Sequence, residues 1–206
     1  GMPKEAFSFY PTDHDGSGAI VRRSGRVMMF GDDSTVSQHA LDPRVEVHGS
    51  GKSKIIFGED CIDDWEKYLD IMVESVSANS GRSCINASAI LVPRHADAIA
   101  EAIAKRLTEI KPLPFEDANA KLSGFANPKF AEYINGAVDA GLAEGGARDI
   151  NEPHRGRERH EIFQNMHYLH PTIIRCESWE HSLANREFLF PFASVTEVAQ
   201  ADMLDS

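Results

Sequence analysis

Ser77-Ala78-Asn79-Ser80-Gly81-Arg82-Ser83-Cys84-Ile85-Asn86-Ala87-Ser88 runs straight into the apolar segment Ala89-Ile90-Leu91-Val92-Pro93. Before it, residues 59–77 carry Ile62, Trp65, Leu69, Met72, Val73 and Val76 at helical spacing, with acids near the start. The order is therefore helix, small polar turn, cysteine, buried-type strand. A uniformly apolar run of this length suits a strand covered on both faces, as in a parallel sheet. A thiol on a tight turn at such a junction either opens toward a cleft, where neighbouring donors can activate it, or sits as a small buried residue, the commoner state of a lone cysteine.

The same alternation extends in both directions. Upstream, residues 6–10 read as a short strand ended by Pro11, and residues 19–23 as a helical turn or strand. Arg26-Val27-Met28-Met29-Phe30 is a buried-type strand closed by Gly31-Asp32-Asp33-Ser34-Thr35, where a helix starts and ligands approach in such sheets. Residues 45–53 form a strand entering a glycine-rich bend, and Gly51-Lys52-Ser53 lacks the upstream glycine of a P-loop. Lys54-Ile55-Ile56-Phe57 is a further strand. Downstream, residues 95–110 form an alanine-rich amphipathic helix, and Pro128 opens a second helix that ends near Gly141. Residues 151–161 read as an exposed charged loop, 162–175 as extended chain, 179–186 as a polar turn and 188–195 as an aromatic strand. Strands alternating with helices predict an α/β, three-layer αβα domain around a mainly parallel sheet.

The totals exclude several classes of function. The 206 residues hold 21 basic and 32 acidic side chains, for a net charge of −11. That balance disfavours nucleic acid and anionic membrane as partners. No stretch has the length and apolarity of a membrane span or a signal peptide. Gly1 ahead of Met2 reads as a residue left by tag removal. The three cysteines, Cys61, Cys84 and Cys176, form no CxxC pair, so neither a disulfide framework nor a zinc knuckle is predicted, and a reducing cytoplasm fits. Cys61 and Cys176 read as structural. His154, His160, His167 and His170 lack metal-ligand spacing, and His48 reads as a structural histidine rather than a base.

Three residues stand out together: Glu46 beside the glycine bend, Cys84 on its turn, and Glu187 before an aromatic run. A cysteine nucleophile needs a base to activate the water that resolves its thioester, and a carboxylate distant in sequence can serve. The ordered segments resemble those of the aldehyde dehydrogenase superfamily, catalytic domain, from about Val27 to Val198. Phe30-Gly31-Asp32-Asp33-Ser34 is similar to its Phe-Thr-Gly-Ser segment, and Glu46-Val47-His48-Gly49 to its Glu-Leu-Gly-Gly segment. Asn79-Ser80-Gly81-Arg82-Ser83-Cys84 resembles its Asn-x-Gly-Gln-x-Cys turn. Gly145-Gly146, Pro171-Thr172 and Glu187-Phe188-Leu189-Phe190-Pro191 resemble its Gly-Gly, Pro-Thr and Glu-x-Phe-Gly-Pro segments.

The resemblance implies NAD(P)-dependent oxidation of a small-molecule aldehyde to a carboxylic acid. Cys84 is then the nucleophile and Glu46 the general base, while Glu187, Val47 and Gly31 border the NAD or NADP. It further implies that residues 2–44 are the tail of a dinucleotide-binding-like region. Residues 45–206 become a catalytic-domain-like region without the family's closing strands, so that the chain is a fragment of the family's length. Homo-oligomerisation is open on the same ground. Departures include the acids Asp32 and Asp33 where the family has small neutral residues, and a shorter segment between Phe30 and Glu46. Leu189 and Phe190 also replace an aromatic and a glycine. Two other readings are an acylating, coenzyme-A-linked relative, which usually lacks the glutamate base, and an inactive truncated relative.

Overall fold

A computed structural model of the chain describes residues 1, 3–31 and 33–203; Met2, Asp32 and residues 204–206 lie outside it, so the first acid of the Asp32-Asp33 pair is not placed. The chain divides into two compact units, residues 1–50 and 51–206. The division follows the second strand, whereas the boundary drawn from the sequence precedes it.

In the first unit, helix α1 (His14–Arg23) is N-capped by Asp13, whose carboxylate accepts the Gly16 amide at 2.9 Å. Strand β1 (Val27–Phe30) is followed by the short helix α2 (Asp33–Val36) and strand β2 (Val45–His48). The two strands pair in parallel, Val27 opposite Val45 and Phe30 opposite His48. The strand expected at residues 6–10 does not form. Residues 4–6 make a 3-10 turn, and Phe7, Phe9 and Tyr10 are exposed. The aromatic pattern there finds no partner strand among the described residues, and a strand is defined by such pairing rather than by its own side chains.

The second unit is built on a five-stranded sheet in the order β3-β4-β9-β8-β5. Its strands are β3 (Lys54–Ile56), β4 (Ala89–Val92), β5 (Ala147–Asp149), β8 (Thr172–Cys176) and β9 (Phe192–Glu197). The pairings β3–β4, β4–β9 and β8–β9 are parallel, and the edge strand β5 is antiparallel to β8. All four residues of β4 are 0% exposed, which is why its sequence is apolar throughout. Strand β3 leads through a 3-10 segment (Ile62–Tyr68) into α3 (Leu69–Ser77), so the single helix read from the sequence begins as a tighter, kinked turn at Asp64.

Helices cover both faces of the sheet. On one face Met72 and Val76 of α3 meet Ile99, Ile103 and Leu107 of α4 (Ala96–Thr108), over Ile90, Val92, Ile173 and Val195. On the other, Ala131, Ile134 and Val138 of α5 (Pro128–Ala143) lie over Ile174, Cys176 and Phe192, with Phe188 and Phe190 beside them. Adjacent residues Ile173 and Ile174 thus serve opposite cores, as the period-two geometry of a strand requires. Asn127 caps α5 through the Lys129 amide at 3.1 Å, with Pro128 at its first turn. Gly145 and Gly146, at φ 78° and 76°, then turn the chain into β5.

Residues 152–154 and 156–158 are exposed, as expected from their charge, but Asn151 and Arg159 at either side of them are buried. Asn151 is fully buried, and it joins α4 to β8. Its amide donates to the Ala104 carbonyl and the Thr108 hydroxyl, both at 2.9 Å, and its oxygen accepts the Ile173 N–H at 2.7 Å. After α6 (Glu152–Arg155), the buried Asp149 carboxylate receives Arg155 at 2.8 Å and Arg159 at 3.2 Å. Charge in the sequence reads as solvent exposure unless the partners are known, and here each buried charge has one.

The hairpin of β6 (His160–Phe163) and β7 (Met166–Leu169) carries the part-buried His160 and His167, and the buried His170 follows it. His170 Nε2 lies 2.6 Å from Glu161, and burial lowers its pKa against the opposing pull of that carboxylate. His160 Nε2 lies 2.8 Å from His167 Nδ1, and burial, then the charge of His167, lowers its pKa. Both histidines therefore resist protonation in the folded chain while the unfolded chain takes up protons below the ordinary histidine value of 6.5. Since the unfolded state then binds more protons, stability falls as pH drops through and below that value. Urea unfolding at pH 7.5 and 5.5 is expected to show a lower midpoint at the acid value. The His160→Gln/His170→Gln variant should show a smaller drop, and an equal drop would remove these histidines from the effect.

Candidate active site

The cysteine turn has an unusual backbone. Asn79, Ser80 and Gly81 take left-handed φ values of 51°, 60° and 65° in succession. Asparagine and glycine tolerate this region, whereas serine needs outside support. Ser80 is buried, and its hydroxyl accepts the Ser123 N–H at 2.8 Å. Asn86 closes the turn from below. Its side-chain oxygen accepts the Ser83 N–H at 2.8 Å, and its amide donates to the carbonyls of Ser75 at 2.9 Å and Ala78 at 3.0 Å. The loop is thus tied back to the end of α3, and Cys84 emerges exposed at its far side.

Two glycines set how closely other segments approach. A Cβ on Gly81 would stand 2.4 Å from the Phe190 carbonyl carbon and the Pro191 nitrogen. A Cβ on Gly51 would stand 1.7 Å from the Cys84 carbonyl oxygen. That same carbonyl accepts the Ser53 hydroxyl at 2.9 Å. The neighbour of Gly51, Lys52, donates its backbone N–H to the Glu187 carboxylate at 2.8 Å. So residues 51–53 lie between the Cys84 turn and the segment that carries Glu187, and the structure brings these two sequence-predicted residues into one neighbourhood. Leu189 is part-exposed beside it, whereas Phe190 is buried within the aromatic group of Phe188 and Phe192.

Arg82 anchors the turn, a role the sequence reading did not assign. Its Nε donates to the Leu189 carbonyl at 3.2 Å, Nη1 to Gly124 at 3.3 Å and Nη2 to Ser123 at 2.8 Å. The guanidinium carbon stands 4.3 Å from the centre of the Phe125 ring. Burial lowers the pKa of this arginine. The signal available in the sequence was the departure itself, an arginine where the resembling motif has glutamine.

Glu46, Val47 and Gly31 lie in the first unit. Glu46 is exposed on β2, and its carboxylate pairs with His48 Nε2 at 3.0 Å. The His48 ring stacks on Phe30 with centroids 4.7 Å apart. Gly31 follows β1 and donates its N–H to the His48 carbonyl at 3.2 Å, and Val47 is part-buried in β2. Cys61 is part-buried, and Cys176 is buried with its thiol pKa pushed up to about 12 by desolvation. Among the described residues no group of three or more His, Cys, Asp or Glu side chains has the arrangement of a metal site, and no helix is long and apolar enough to cross a membrane.

The family model for the aldehyde dehydrogenase family matches residues 1–204. The chain belongs to the aldehyde dehydrogenase family. No curated protein sequence matches it. Among solved structures, an aldehyde dehydrogenase from Bacillus cereus in complex with NAD+ superposes with a TM-score of 0.75 at 18% identity, covering 92% of this chain and 39% of that one. A methylmalonate-semialdehyde dehydrogenase from Oceanimonas doudoroffii gives 0.74 at 16% identity, covering 94% and 41%. A Mycobacterium tuberculosis aldehyde dehydrogenase complexed with NAD+ gives 0.73 at 24% identity, covering 88% and 38%. These likenesses confirm the α/β fold. The chain spans about two fifths of the length of these structures.

The two glycine environments separate steric from conformational cost. Gly81 has positive φ and no room for a Cβ, whereas Gly145 has positive φ and nothing within 4 Å. Gly145→Ala is expected to cost about 1–2 kcal/mol, the penalty of a left-handed alanine. Gly81→Ala should cost several times more, because the Phe190–Pro191 backbone must also move. Urea unfolding of the two variants checks the order, and equal losses would show that the close approach is readily relieved.

Proposed function

We propose that this chain carries the nucleophile-bearing part of an NAD(P)-dependent aldehyde dehydrogenase, with Cys84 as the nucleophile. The observation that supports this most is an exposed thiol at the end of a turn over-determined by Asn86, Gly81 and Ser53, with Glu187 held by the Lys52 amide of the adjoining segment. In this reading the Cys84 sulfur attacks the aldehyde carbonyl carbon, and the Cys84 backbone N–H helps to stabilise the oxygen that gains negative charge. After oxidation the carbon is held as a thioester. Glu46 takes a proton from the water that hydrolyses it, releasing the carboxylic acid and restoring the thiol. His48, at 3.0 Å from Glu46, orients that carboxylate.

A bound NAD or NADP supplies the hydride acceptor. The residues present suit such a group. A carboxylate has about four acceptor positions, and the Lys52 N–H engages one Glu187 oxygen, so Glu187 is fixed in place with capacity left for a sugar hydroxyl. Gly31 and Val47 lie on a β1–α2–β2 unit whose parallel pairing places Gly31 at the carboxyl end of β1, where ligands approach sheets of this kind. Assembly of copies of the chain, with a small-molecule aldehyde as substrate, belongs to the same reading.

Iodoacetamide labelling of the native chain, followed by peptide mass spectrometry, tests the assignment. Cys84 is expected to react at least on the order of tenfold faster than Cys61, as its exposure and site demand, with Cys176 untouched. In a full-length parent enzyme that contains this segment, Cys84→Ser is expected to abolish aldehyde-dependent NADH formation, while this chain alone is expected to be inactive. Slow labelling of Cys84, or turnover retained by the serine variant, would remove it as the nucleophile.

A further inference from the structure

Arg82 is a half-buried cation with no carboxylate partner among the described residues. Its three side-chain hydrogen bonds all go to backbone carbonyls, and they reach two separate segments. Ser123 and Gly124 lie on one, Leu189 on the other. The fork geometry of a guanidinium allows this, whereas a single ammonium cannot span both segments. A buried cation is costly unless its donors are used, so the contacts fix the side chain. Its backbone is fixed as well, since the Arg82 N–H donates to the Asn79 carbonyl at 3.2 Å.

The connections around it form a closed path. Arg82 precedes Ser83 and Cys84 in the chain. It grips Leu189, two positions beyond Glu187, while Gly81 rests on the Phe190–Pro191 backbone. Glu187 accepts Lys52 N–H, and Lys52 sits between Gly51, in contact with the Cys84 carbonyl, and Ser53, which donates to it.

We propose that Arg82 is a positioning residue that fixes the Cys84 turn relative to the segment carrying Glu187. It acts through the Leu189 carbonyl, so that the nucleophile and the cofactor-holding carboxylate keep one spacing. The roles of those two residues rest on the function proposed above; the mechanical link does not. The Lys52 amide reports it, because its hydrogen bond to Glu187 depends on where that segment lies.

Hydrogen exchange of backbone amides, followed by NMR on the native chain, reads the link in Arg82→Met and Arg82→Lys. In the methionine variant Lys52 exchange is expected to accelerate about tenfold, equivalent to about 1.4 kcal/mol, while the Ile90 and Leu91 amides of β4 keep their protection. Added guanidinium ion should restore Lys52 protection, and methylammonium at the same concentration should not. The lysine variant should fall between the parent and methionine forms. Should the methionine variant fail to fold, the lysine variant carries the same comparison. Unchanged Lys52 exchange, equal loss of protection in β4, or equal rescue by methylammonium would overturn the proposal. Iodoacetamide labelling of Cys84 in the parent is independent of these outcomes. An inert Cys84 would sink the catalytic reading and leave the mechanical link standing.

Discussion

Backbone held in the left-handed region is the constraint around which residues 51–206 are arranged near the candidate site. Asn79, Ser80 and Gly81 each leave the usual region, and nothing in α3 before them favours that. A non-glycine residue there costs on the order of 1–2 kcal/mol, so such a turn persists only when its surroundings over-determine it. The surroundings are identifiable. Asn86 holds the turn from within, Ser123 holds Ser80, Arg82 reaches outward, and two glycines admit foreign backbone where a side chain would collide. The result is a thiol whose position is set by the backbone rather than by side-chain packing, while the structural thiol Cys176 sits in the core.

The sheet explains why this turn can exist where it does. The turn spans the gap between the end of α3 and β4, whose four residues are wholly buried between β3 and β9. Because β4 is fixed on both sides, the turn's far end cannot drift. The residues before β3 and those before β9 are fixed for the same reason, and these are the two segments that flank the turn. Parallel pairing thus converts distant stretches of sequence into neighbours, which is how Glu187 comes beside Lys52 across 135 positions.

Much of this was legible in residue patterns. The uniform apolarity of Ala89-Ile90-Leu91-Val92 announced a doubly covered strand, and the helical spacing of Ile99, Ile103 and Leu107 announced α4. The failures have a common cause. Residues 6–10 have strand-like side chains, but a strand is defined by its partner, and pairing is not a local property. Residues 151–161 look solvated because charge correlates with exposure. Arg155 and Arg159 instead turn inward onto Asp149, with Asp139 also on Arg159, which only three-dimensional adjacency reveals. Of the candidate site, the residues with chemistry of their own could be named from the sequence as candidates. The residues that hold them, Asn86, Ser53 and Arg82, carry side chains common in any loop.

That asymmetry bears on how departures from a family pattern should be weighed. Arg82 stands where the resembling motif has glutamine, and by sequence alone the change looks like a loss of fit. In the structure it adds donors that reach two segments and an aromatic face. Phe190, where the resembling motif has glycine, likewise turns inward to join Phe188 and Phe192, so its bulk is absorbed by the core rather than directed at the site. A substitution in a site motif therefore has to be judged by where its side chain goes. Both of these go toward neighbouring structure, and the face on which Cys84 is exposed is left to the cysteine.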